Sequence, residues 1–60
     1  MLTVLIQYND RKERIISTQG EIEYVDGLLT VGEDEFDLES GDRAFVMNGE
    51  GQTVWKKFVK

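Results

Sequence analysis

The sequence predicts an all-β domain, a small antiparallel meander of about six or seven short strands curled into a barrel-like or two-layered sheet. Three observations carry that expectation. Apolar residues recur at every second position in successive short runs, Gly, Asn and Asp turn signals separate the runs, and the chain has no Pro and no apolar stripe of helical period. With 60 residues there is room for one domain, 1–60, which buries only about 60% of the surface its unfolded chain exposes. The core must therefore be thin.

The clearest element is the run Ile22-Glu23-Tyr24-Val25-Asp26-Gly27-Leu28-Leu29-Thr30-Val31. Asp-Gly suits a two-residue type I′ turn, because both central residues need positive φ and these two tolerate it. Register follows from that turn: Val25 faces Leu28, Tyr24 faces Leu29, Glu23 faces Thr30 and Ile22 faces Val31. Ile22, Tyr24, Leu29 and Val31 then share a core face, and Glu23, Val25, Leu28 and Thr30 share the other.

Taken in order, Leu2, Val4, Ile6 and Tyr8 alternate with Thr3, Leu5 and Gln7, which suits an interior strand with Leu5 on its second side. Residues 9–13 are polar and read as a loop. Residues 14–18 contain Ile15, Ile16 and Thr18, all β-branched, and read as a second strand. A helix over 11–16 competes, but it would be short and has no apolar i, i+4 stripe. Residues 35–39 alternate Glu35, Asp37 and Glu39 outward with Phe36 and Leu38 inward, a half-buried strand. A last hairpin joins 43–47 to 52–59 across Asn48-Gly49-Glu50-Gly51. Its parity puts Phe45 and Met47 on one side with Val54 and Phe58, and Ala44 and Val46 on the other with Trp55. The larger set, with Phe58 and Val54, is the expected core side, which leaves Trp55 over.

Composition narrows the chemistry. The absence of Cys and His removes zinc-finger ligands, thiol nucleophiles and the usual general base near neutral pH. No leader is expected at the N-terminus, since it lacks a positive stretch and a small-residue cleavage site, and no run approaches the ~18 apolar residues of a membrane span. A cytoplasmic setting is the default expectation. The net charge of −5 is unevenly spread: residues 15–42 hold nine carboxylates and no cation, whereas residues 43–60 hold four cations against Glu50. Such a balance disfavours a surface that attracts nucleic acid.

Glu35, Asp37 and Glu39 lie two apart on one face, about 6.5–7 Å between neighbours, within range of a carboxylate pair acting on a glycosidic bond. An exposed row beside Glu33, Asp34 and Asp42 lacks the apolar pocket that general acid work requires, so a solvated face is the better reading. The spacing of 37–42 does not fit a helix-flanked calcium loop, and no cofactor or metal is expected. Gly49-Glu50-Gly51 is a turn, because Glu repels phosphate and no Lys-Ser/Thr follows. Trp55, Lys56, Lys57, Phe58 and Lys60 have the composition of a single-strand stacking platform, but Trp55 and Phe58 stand at an odd spacing and so on opposite faces.

What a single core leaves over is Leu5, Val25, Leu28, Val46 and Trp55, and contiguous exposed apolar groups rimmed by charge mark protein contacts. The expected function is a non-enzymatic interaction module. It is an acidic adaptor or inhibitor, of the kind mobile elements encode, using Glu35, Asp37 and Glu39 toward a basic protein surface and the leftover apolar face for a partner or a homodimer. A small nucleic-acid binder using Trp55 and the terminal cations is the alternative, followed by a structural subunit of a larger assembly.

Overall fold

A computed structural model describes every residue from Met1 to Lys60. Seven strands follow one another without a helix: β1 (Leu2–Gln7), β2 (Glu13–Thr18), β3 (Ile22–Val25), β4 (Leu28–Val31), β5 (Asp34–Asp37), β6 (Arg43–Met47) and β7 (Thr53–Phe58). They form a four-stranded sheet in the order β2-β1-β6-β7 and a three-stranded sheet in the order β3-β4-β5. All pairings are antiparallel. No ladder joins the two sheets, so the chain is two-layered and does not close into a barrel. Nor is it one meander. β1 pairs with β6, which brings the two ends of the chain together and lets the β3-β4-β5 meander lie across them.

The central hairpin has the register that its turn dictates, with Val25 opposite Leu28 and Ile22 opposite Val31. Asp26 and Gly27 adopt φ of 47° and 87°, as a type I′ turn requires. A Cβ at Gly27 would in addition lie 3.2 Å from the Leu38 carbonyl oxygen, in a segment held against the turn by the Leu38 N–H donated to Gly27 O at 2.7 Å.

Directly paired residues project to the same side of a sheet. In the four-stranded sheet Val4 lies beside Ile16 and Val46, and Ile6 beside Ala44. Facing them from the other layer are Leu29 and Val31 of β4, with Leu38 just beyond β5. These seven apolar residues, without Ile16, are the buried core. Leu2, Tyr8, Ile22, Tyr24, Phe36 and Trp55 pack around it.

The last hairpin corrects one expectation. Its parity holds, since Val46 pairs with Trp55 while Phe45 pairs with Lys56 and Arg43 with Phe58. The inward side, however, is the one with Ala44, Val46 and Trp55, and Phe45, Met47 and Phe58 face solvent. Pairing with β1 decides this: once Val4 and Ile6 are committed inward, their partners Val46 and Ala44 must follow. Side-chain size within the hairpin has no say in it. A bulge opposite Val46 and Met47 leaves Val54 without a partner and separates it from Phe58's alternation.

One end of the sandwich is tied by Asp42, the only polar residue among the buried ones. Its Oδ1 accepts from Asn9 N–H at 2.8 Å and its Oδ2 from Glu39 N–H at 2.7 Å. Its carbonyl accepts from Val59 N–H at 2.9 Å. One residue thus joins the segments that follow β1, β5 and β7. The neighbouring Gly41 has φ of 94°, and a Cβ there would meet the Asn9 side chain at 2.7 Å.

These contacts set the order of stability of three variants. Gly27→Val should destabilise by more than about 1 kcal/mol, because an L-residue at that φ is strained. Asp42→Ala should be worse, by about 2–4 kcal/mol, because it strands two N–H groups that the carboxylate now satisfies. Asp42→Asn should fall between wild type and Ala, since it keeps an acceptor. Urea denaturation followed by circular dichroism ranks all three variants; an Asp42→Ala midpoint equal to wild type would remove Asp42 from its role as a tie.

Candidate interaction surfaces

The outward side of the four-stranded sheet is a grid set by register. Its middle row runs Ile15, Leu5, Phe45, Lys56 across β2, β1, β6 and β7. On one side of that row lie Ser17, Thr3, Met47 and Thr53, and on the other Glu13, Gln7, Arg43 and Phe58. Apolar groups therefore meet laterally and diagonally across all four strands. Phe45 and Phe58 stack edge to face with centroids 6.0 Å apart, and the Arg43 guanidinium lies 6.0 Å from the Phe58 ring. Ile15 is 69% exposed and Phe58 54%, while Leu5, Phe45 and Met47 between them are half-buried.

The outward side of the three-stranded sheet has a different character. Its rows are Val25, Leu28, Asp37 and Glu23, Thr30, Glu35. Glu39 is exposed beyond the end of β5. The single ion pair in the molecule joins Lys12 and Asp10 at 3.9 Å, far along the chain, so none of these carboxylates has an ion-pair partner. No three acidic side chains converge closely enough to hold a metal ion.

A third feature lies between the layers, where β3 and β7 approach without pairing. A groove of about 470 Å³ is walled by Leu2, Ile22, Tyr24, Val46, Val54 and Trp55, with Glu21 and Glu23 at its margin. Tyr24 and Trp55 meet across it with centroids 5.9 Å apart. Lys57 sits 5.6 Å from the Tyr24 ring but does not line the groove.

The five apolar residues that the sequence leaves over do not form one face. Leu5 belongs to the outward grid of the four-stranded sheet, whereas Val25 and Leu28 lie on the acidic outer face of the other sheet. Val46 is 3% exposed and part of the core, and Trp55 is half-buried on the inward side. Val46 and Trp55 are thus corrected from the exposed set, for the reason that places β6: Val46's partner Val4 points inward, and Trp55, paired with Val46, follows it. Ile15, Phe45, Met47 and Phe58 take their place around Leu5. Parity had already grouped three of these four; the missing signal was the long-range pairing that says which parity faces in. Trp55 and Phe58 do stand on opposite faces of β7, as an odd spacing requires.

No protein-family model, curated protein or solved structure matches this chain.

Glu35 and Asp37, two apart on one strand, repel each other across solvent. Neutralising either, or Glu39, as the amide should leave stability unchanged or raise it by up to about 0.5 kcal/mol. Thermal melts of E35Q, D37N and E39Q check this, and calorimetry with calcium and magnesium checks the companion expectation of no micromolar binding. A large loss of stability in any of the three would mean that the row is held in place by contacts rather than merely solvated.

Proposed function

We propose that this chain is a non-enzymatic protein-interaction module with two working faces. The apolar outer face of the four-stranded sheet associates with a second copy, and the acidic outer face of the three-stranded sheet, through Glu35 and Asp37, engages a partner with a basic surface. What supports the reading is the contrast between the two faces. Ile15, Leu5, Phe45, Met47 and Phe58 make a contiguous apolar layer in which Ile15 and Phe58 are exposed and the other three half-buried, and patches of that kind on small domains are characteristic of protein contacts.

Self-association fits the arrangement of charge on that face. Glu13 lies on β2 at one lateral edge, and Arg43 and Lys56 lie on β6 and β7 toward the other. Two copies packed face to face about an axis parallel to the strands set β2 of one over β7 of the other. Row for row, Leu5 then covers Phe45, Ile15 lies over Lys56, and Glu13 lies over Phe58 with Lys56 of the second copy on its diagonal. The two acidic faces remain on the outside, available to basic partners, which is the geometry of an adaptor or a blocking inhibitor.

Ile15 and Phe58 are the residues to change, because both are more than half exposed and their loss leaves the core alone. The I15E/F58E double variant should melt within a few degrees of wild type, yet remain a monomer at concentrations where light scattering finds wild type dimeric. The dissociation constant should rise at least about tenfold, corresponding to about 1.4 kcal/mol. Separately, immobilised protein should retain protein from lysate at moderate salt but neither single- nor double-stranded nucleic acid, and E35K/D37K should lose that retention. A wild type that is monomeric throughout, or one that retains nucleic acid, would overturn the respective half.

A further inference from the structure

We infer that the groove between β3 and β7 takes an extended peptide as an added strand, one in which apolar residues alternate with Lys or Arg. The inference rests on the interaction-module reading and uses the open β3 edge between its two outer faces, sharing Glu23 with the acidic one.

Three observations converge on it. The first is an open strand edge. Gly32 N–H donates to Glu21 O at 2.8 Å, and the two-residue turn makes Val25 and Leu28 a bonded pair. By alternation, the amides and carbonyls of Glu21, Glu23 and Val25 are then turned toward β4, and those of Ile22 and Tyr24 away from it. β3 has no second neighbour in its sheet, so the Ile22 and Tyr24 groups are unpaired. An extended segment laid along that edge supplies the missing partners, as in strand addition generally.

The second is the apolar wall. Residues of an added strand that lie opposite Ile22 and Tyr24 project to the same side as they do, into the space bounded by Val46, Val54 and Trp55. The bulge in β7 contributes here, because it removes Val54 from the ladder and leaves it at the groove. The volume of about 470 Å³ accommodates two or three apolar side chains of the size of Val or Leu.

The third is charge. Glu21 and Glu23 are the charged residues of the groove, and both are exposed. Residues of the added strand that lie opposite them project to the outer side, beside two carboxylates without ion-pair partners. Cations at those positions make favourable cross-strand pairs, and acids would be repelled. Because the required pattern is an alternation, it reads the same for a strand added in either direction.

Trp55, the single tryptophan of the chain, makes the test direct. The probe is a capped eight-residue peptide alternating Lys and Val. Controls are a permuted peptide with the four Lys in one block, an alternating Glu and Val peptide, and the Lys and Val peptide with N-methyl groups on alternate residues in each of the two phases. The alternating Lys and Val peptide should change Trp55 emission saturably, and E21K/E23K should weaken it at least about tenfold. One N-methyl phase should abolish binding and the other spare it. Equal binding by the permuted peptide, or by both N-methyl phases, would overturn strand addition. So would an emission change that depends on protein concentration alone, which would put a second copy in the groove. If the peptide fails while I15E/F58E still shifts the association equilibrium, the groove inference falls and the module reading stands.

Discussion

The pairing of β1 with β6 is the contact on which the rest of this molecule depends. It joins segments from the two ends of the chain, sets Val4 beside Val46 and Ile6 beside Ala44, and so lays down the floor against which Leu29 and Val31 pack. Without it the chain would be three separate antiparallel elements, two hairpins that are marginal at best in water and a three-stranded meander whose apolar face would lie open. The same pairing closes long stretches of chain into a loop, which is entropically expensive and slow to form, so the fold is cooperative by construction.

Asp42 reinforces that pairing from the end of the sheet. A carboxylate is an unusual choice for a buried position, and it is tolerated here because both oxygens accept backbone N–H groups that would otherwise be stranded. With a core of only seven residues, polar ties at the end of the sandwich matter more than they would in a larger domain. They hold the loop after β1 and the turn after β5 in place while the chain returns through β6 and β7.

The thin sandwich also explains why surface features dominate the functional reading. Two layers have four faces; two make the core and two face outward. In this chain one outward face is apolar and the other acidic, and β3 and β7 leave an open edge between them. A larger protein could cover such surfaces with its own helices or loops, whereas connections as short as these leave nothing to spare for that purpose.

What the sequence determined by itself was everything with a period of two and a local turn. The all-β class, the strand positions, the register of the Asp26-Gly27 hairpin, its Ile22-Tyr24-Leu29-Val31 core face and the outward set of Glu35 and Asp37 are all legible, because turn chemistry and alternation act over a few residues. Alternation also separated Ala44, Val46 and Trp55 from Phe45, Met47 and Phe58. Only the tertiary structure decided which of these two sets is buried, since that depends on β6 lying beside β1, and no local signal records a partner so distant in the chain. The Val54 bulge, the closure through Asp42 and the groove between β3 and β7 belong to the same class. Each arises where segments far apart in sequence meet, and there cross-strand partners, rather than a residue's own hydropathy, set the direction of a side chain.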